Sequence, residues 1–325
     1  MWSNFTTNNI KLINPTNIVD YKFINTIKTI RKVITKVKNN KFKITETKIL
    51  DSIINKFKES PWVDPNLYYN NLTFDVNIVW TNNNVENNIY IRTTKEKFNN
   101  IIHRLSIFLK ILNYIQGNSN TQIKLYLILS ELTKKIEYNK IISPKHINSG
   151  YTNIITKEIF IWREEEFEKV SFHELIHLFD HDHRDEVINL DIDINGPESF
   201  FEAITDFKAI IYNIIYISLL TSRKLESLLK FEIAFMYNQA NCISYHLSNC
   251  MNNNTIIQKS PAYSYFILKY FIFEYFIGTF NQELFNDIFY KGTKYNKLIK
   301  LINIRNLDNK YIDLNSARMC LFELK

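Results

Sequence analysis

Between residues 17 and 38, apolar side chains fall at Ile18, Val19, Tyr21, Ile24, Ile27, Ile30, Val33, Ile34 and Val37, the spacing of one helix face. Lys28, Arg31, Lys32, Lys36 and Lys38 occupy most of the remaining surface. Thr45 to Ser60 reads as a second helix, closed by Pro61. The period then changes to two: Asn71 to Trp80 and Asn88 to Arg92 alternate apolar and polar residues around Asn82-Asn83-Asn84, which predicts a hairpin. Thr94 to Gln116 predicts a helix with Phe98, Ile101, Leu105, Phe108, Leu109 and Leu112 on one face and Gly117 as its end signal. Ile123 to Leu129 and Ile155 to Trp162 read as strands, the second at the sheet's edge and running directly into a helix over Lys169 to Asp180. Asp191 to Pro197 predicts a loop, and Pro197 suits the first position of a helix continuing through Glu198 to Leu220. Arg223 to Lys325 is mainly helical, with turns near Asn252 to Asn254, Gly278, Gly292 and Asn306 to Asn309. The expected fold class is predominantly α-helical α+β: a helical extension over residues 1–60, a sheet-plus-helix lobe over 61–184, and a helical lobe over 185–325.

Composition narrows the class. Of 325 residues, 46% are hydrophobic and 22% charged, so the chain is globular and long enough for a sizeable core. Only 5 Gly and 6 Pro interrupt it, which favours long helices. The net charge of +7 is mostly lysine spread among Asn and Ile, the bias an AT-rich genome produces, and gives nucleic-acid binding little weight. Ile210 to Leu220 and Pro261 to Phe280 are apolar, but Asn213, Lys269 and Glu274 mark them as core helices, so no membrane partner is expected. Met1 to Asn8 lacks the basic-then-apolar layout of a signal peptide, which implies an intracellular protein. Cys242, Cys250 and Cys320 are too few for a disulfide framework; an odd count leaves a thiol for another chain. On one helix Cys242 and Cys250 would sit two turns apart, too far to bridge each other.

The predicted helix over Lys169 to Asp180 carries His173-Glu174-Leu175-Ile176-His177, an H-E-x-x-H pattern. Residues four apart share a helix face, so His173 and His177 can bind one Zn²⁺ while Glu174 takes a proton from a water at the metal. A catalytic zinc needs a third protein ligand. Glu202 is one candidate, with Asp206 a turn later on the same face to orient a ligand histidine. His183 is another, six residues after His177, and Glu198 is the fallback. Tyr237, Tyr245 and His246 are candidate donors to a tetrahedral oxyanion.

Several resemblances follow from these residues. The order strand, strand, helix, strand, edge strand, H-E-x-x-H helix resembles the upper lobe of zincin metallopeptidases. Glu202-x-x-x-Asp206 after the motif resembles the gluzincin pattern of thermolysin-like enzymes, which implies Glu202 as ligand and Asp206 as hydrogen-bond partner of a ligand histidine. Metzincins place a histidine where His183 stands, but need a sharp turn where this chain has Asp180. His173 to His181 looks like the zinc helix of the mitochondrial inner-membrane processing zinc protease, without that family's cysteines. Asn148 to Thr152, Phe160 to Glu165 and Lys169 to Glu174 are similar to zincin-like proteins of large DNA viruses. The implied function is a zinc-dependent peptidase acting on peptides or proteins.

A viral source opens a second class. Nudiviruses embed virions in crystals of a polyhedrin, a structural protein of the occlusion body whose partner is itself. The 24 Phe and 19 Tyr, with a thiol at Cys242, Cys250 or Cys320 for an intermolecular disulfide, suit such self-assembly in the host cell.

Overall fold

The computed structural model describes residues 2–15, 19–38, 41–49, 51–61, 63, 71–137, 140–179, 181, 193–196, 199–252, 255–302, 304, 307 and 316–324, the side chains of 51, 56 and 57 excepted. Helix α1 (Asn4–Leu12) and helix α2 (Tyr21–Lys36) lead into strand β1 (Phe42–Glu46) and helix α3 (Asp51–Lys58). Strands β2 (Phe74–Asn82) and β3 (Val85–Thr93), helix α4 (Lys95–Gln116), strand β4 (Lys124–Ser130), the short helix α5 (Pro144–Ile147) and strands β5 (Gly150–Asn153) and β6 (Glu158–Arg163) follow. Helix α6 (Phe167–Leu178), strand β7 (Ile194–Asn195), helices α7 (Phe200–Thr221) and α8 (Leu225–Asn249), and strand β8 (Ile256–Ile257) come next. A π-helical segment, Tyr263–Leu268, runs into α9 (Lys269–Gly278), and α10 (Gln282–Asn286), a second π segment (Asp287–Lys291) and α11 (Tyr295–Leu301) complete the described elements. The class is mixed α+β with helix well in excess of strand.

The main sheet has the order β1-β2-β3-β4-β6-β5, antiparallel at both margins and parallel across β3, β4 and β6. Alternation divides its faces. Val76, Ile78, Ile89, Ile91, Leu125, Leu127, Ile159 and Ile161 point into the main core with α4, α6 and α7. On the opposite face Tyr90, Tyr126, Phe160 and Tyr151 stack from strand to strand, with ring centroids 5.0, 5.0 and 5.1 Å apart. The hairpin turns at Asn83 and Asn84, both at positive φ (49° and 66°), where asparagine is tolerated better than most residues. Gly117, at φ 55°, ends α4 as expected.

Three expectations need correction. Thr45 and Glu46 belong to strand β1, and the helix starts only at Asp51. Asp75 turns the chain between them: it accepts the Ile49 amide at 3.0 Å and pairs with Arg92, which donates to the Ile49 carbonyl. The edge beyond β4 is β5, not Ile155 to Trp162. Asn153 Oδ1 accepts the Ile155 and Thr156 amides at 3.1 Å each, folding β5 back onto β6 and leaving Ile155 93% exposed in the turn. Ile194 and Asn195, within the expected loop, pair with β8 as a short parallel ladder. Of the expected turns, residues 253, 254, 306, 308 and 309 lie outside the described residues.

Helix α7 is long and apolar enough to cross a membrane, and 89% of its most apolar window is buried inside the protein. Residues 316–324 form an extended strap through the helical half. Side chains grip its backbone: Gln239 donates to the Arg318 carbonyl, Asn213 to Phe322 and Arg104 to Leu324, while Glu166 accepts the Met319 and Cys320 amides. Its end bridges to Trp2. Phe23 of α2 packs among Phe273, Phe276, Phe280 and Phe285, so the N-terminal helices share the main core.

Candidate metal centre and cleft

Helix α6 is buried along its whole length, between the sheet on one side and α4 and α7 on the other. Its charged residues therefore carry partners: Arg104 meets Glu168 at 3.0 Å, and Lys169 meets Asp206. The entry to α6 is at Glu166, which is left-handed (φ 59°) and is held by the Lys134 ammonium at 2.6 Å. Helix α7 starts at Phe200, later than the position Pro197 predicts. Ser199 is its N-cap, accepting the Glu202 amide at 3.4 Å. Pro197 and Glu198 lie outside the described residues, as do Asp180 and His183.

The two helices face each other with matched pairs, His173 and His177 on α6 and Glu202 and Asp206 on α7, each one turn apart. His173 Nε2 and His177 Nε2 are 3.0 Å apart, and Glu202 Oε2 lies 3.1 and 3.3 Å from them. Those three atoms form a nearly equilateral triangle, and His173, His177 and Glu202 could hold a metal ion. Behind the triangle, His173 Nδ1 is 3.2 Å from Asp206 Oδ1. Burial alone would raise the Asp206 carboxyl, but Lys169 and Lys269 override it and hold it well below the usual carboxylate range. An ionised Asp206 can only accept, so His173 Nδ1 is the donor of that contact and Nε2 is the ring nitrogen that faces the triangle.

Asp206 has two further donors. Lys169 Nζ shares Oδ1, and Lys269 Nζ lies 2.6 Å from Oδ2 and 3.0 Å from the Met319 carbonyl of the strap. Burial lowers the Lys269 ammonium below its ordinary value, against Asp206 and with Lys169 adding to the effect.

The triangle opens into a cleft of about 270 Å³, lined among others by Gly150, Thr152, Glu174, Ser199 and Tyr265. Edge strand β5 forms one wall. Thr152 Oγ1 contacts both Glu174 Oε2 (2.8 Å) and the Glu174 carbonyl (2.9 Å), so this hydroxyl fixes the carboxylate beside the first histidine. Gly150 lets the strand approach: a Cβ there would lie 2.8 Å from Val170 Cγ1 and 3.1 Å from Glu174 Oε1. Tyr265, from the first π-helical segment, donates its hydroxyl to Glu202 Oε2 at 3.1 Å. Burial, then Glu202, Glu174 and Asp206, push the phenol well above its ordinary value, so it stays a donor.

The structure thus brings together Glu174, His173, His177, Glu202 and Asp206. Tyr237 packs on Tyr270, Tyr245 lies half-buried on α8, and His246 Nε2 sits 2.7 Å from the Lys140 carbonyl; none of the three lines the cleft. Tyr265, which periodicity does not single out, stands there in their place. Cys242 and Cys250 are half-buried at α8, Cys320 is buried in the strap, and no disulfide joins described residues. No known family model, no characterised protein and no solved structure matches the chain.

Proposed function

We propose that the protein is a zinc-dependent peptidase of gluzincin type, with His173, His177 and Glu202 as ligands and Glu174 as general base. The observation that carries this reading is the triangle of three lone-pair atoms at 3.0–3.3 Å, opening on a cleft that also holds Glu174. Ligand atoms bound tetrahedrally to zinc at about 2.0–2.1 Å would lie about 3.3–3.4 Å apart, close to this spacing. Zinc, when bound, supplies Lewis-acid polarisation of a carbonyl and lowers the pKa of a coordinated water to about 7.

The chain's own residues do the rest. Glu174, held by Thr152, accepts the proton of the attacking water and passes it to the leaving amine. Strand β5 is the outermost strand of the described sheet and walls the cleft, so an extended peptide could lie along it. Tyr265, kept protonated, can donate to the developing oxyanion by turning its one O–H away from Glu202. The six-stranded sheet with α4 and α6 then corresponds to a zincin-like lobe, and α7 onward to the lobe that carries the third ligand. The cleft supports an enzyme over a polyhedrin-like lattice protein, which calls for filled surfaces; for the lattice reading, burial of Cys320 leaves Cys242 and Cys250 as the thiols available to a subunit boundary.

The test is metal analysis and peptide hydrolysis on protein purified without chelators. Wild type should carry about one zinc per chain and cleave peptides. Glu174→Gln should retain the zinc and lose at least about a hundredfold in rate, the lower end of what a general base contributes. Zinc far below one equivalent, or hydrolysis that survives in Glu174→Gln, would sink the assignment.

A further inference from the structure

The carboxylate behind His173 is not dedicated to it. Where a single carboxylate backs a ligand imidazole, its full negative charge raises the ring's basicity and adds attraction for the cation. Here Asp206 is shared among three donors, and two of them are buried ammonium groups, Lys169 at 2% and Lys269 at 1% side-chain exposure. The cluster of Lys169, Asp206 and Lys269 therefore presents a net positive charge to the metal centre through His173. Neither lysine can be a solvated bystander. Lys169 projects from the same helix as the ligand histidines, with Met319 Sδ 3.6 Å from its ammonium, and Lys269 is anchored to the Met319 carbonyl. Glu166, which acts on Lys169, already pairs with Lys134 and accepts the Met319 and Cys320 amides, and Glu232, which acts on Lys269, is taken up by the Leu321 amide.

We infer that Lys169 and Lys269 are positioning residues that weaken metal binding at His173, His177 and Glu202 by drawing the charge of Asp206 away from His173. The inference rests on the zinc reading of that triangle. Its physical content is a sign. Loss of a buried ion-pair partner ordinarily damages a site, whereas here it should tighten zinc binding, because one repelling charge is removed and Asp206 is returned to the imidazole. Lys269→Met leaves Asp206 with Lys169 and His173. Asp206→Asn removes the only negative charge of the cluster and should act in the opposite direction.

The experiment is competition between the protein and a fluorescent chelator for zinc, repeated with cobalt(II), whose absorption reports the coordination geometry. Apo-protein melting curves establish that each variant is folded. Lys169→Met provides the second variant should Lys269→Met not fold. Lys-to-Met substitution is expected to lower the zinc dissociation constant at least about tenfold with an unchanged cobalt spectrum, and Asp206→Asn to raise it by a similar factor. Wild type that binds zinc, with both lysine variants binding equally or more weakly, overturns the inference and leaves the metal centre standing. A wild-type chain that takes up neither metal overturns both.

Discussion

Thr152 meets Glu174 through both its carbonyl and its carboxylate, so one hydroxyl ties the cleft wall to the proposed base. Thr152→Val keeps the volume and removes that tie. The expected result is a roughly tenfold fall in kcat with zinc content and KM unchanged, because the carboxylate loses its orientation and the ligands do not; an unaltered kcat would show that Glu174 is held by other means. At this scale the sequence was informative where chemistry repeats at helical spacing. His173, His177, Glu202 and Asp206 lie four apart in two pairs, and that spacing alone predicts a shared face. Tyr265 was illegible because it reaches Glu202 from 63 positions away out of a π-helical turn, whose register no periodicity reports. Lys169 and Lys269 were illegible for a related reason: a lysine in an apolar stretch argues against a membrane span but names no partner, and only the fold shows that both surround one carboxylate.

At the scale of elements, the second helix of the site is placed by its cap. Ser199 stops α7 from extending backward and sets Glu202 in its first turn. Ser199→Ala is expected to lower stability by about 1 kcal/mol, the usual cost of losing such a cap, and to weaken zinc binding through the displaced Glu202. Chemical denaturation and chelator competition measure the two effects, and a change in neither would remove Ser199 from the account. The hairpin of β2 and β3 was readable because Asn71 to Trp80 and Asn88 to Arg92 alternate on either side of an asparagine turn, and pairing extends both strands to that turn. Strand β5 was not. It has four residues, begins with Gly150, and owes its existence to the Asn153 turn and to contact with α6. Strand β1 was hidden because apolar residues before Asp51 fit a helical period as well as an alternating one, and pairing with β2 decided between them.

Across the whole molecule, the helical half is held by buried charges that respond to pH in opposite ways. Burial pushes the Glu232 carboxyl up to about 8, against the Leu321 amide that bonds it. The folded protein therefore keeps a proton that an unfolded glutamate releases near its ordinary pKa of about 4.3, and stability falls as pH rises from about 5 to 8. Asp206 works the other way: its depressed value contributes stability above about pH 4 that is lost on further acidification. Glu232→Gln should flatten the decline between pH 5 and 8, worth a few kcal/mol at its upper end, and leave the acid limb in place. Melting temperatures across pH 3 to 9 for both proteins check this, and parallel curves would show that Glu232 does not titrate in that range.

The strap carries a consequence for synthesis on the ribosome. His173 through Asp206 are translated more than a hundred positions before Met319, yet the Lys269 ammonium beside Asp206 is completed by the Met319 carbonyl, and Glu166 by the Met319 and Cys320 amides. Until residues 316–324 emerge, several buried charges lack their partners and the helices that present the proposed metal ligands have no fixed spacing. The triangle of His173, His177 and Glu202 would then form as one late event and not accumulate during elongation; on the proposed peptidase reading, unfinished chains would be inactive. Nascent chains arrested before residue 316 should be protease-sensitive and leave zinc in solution, and chains extended through Leu324 should be resistant and take it up. Equal uptake by both would mean that the strap only covers a site already made.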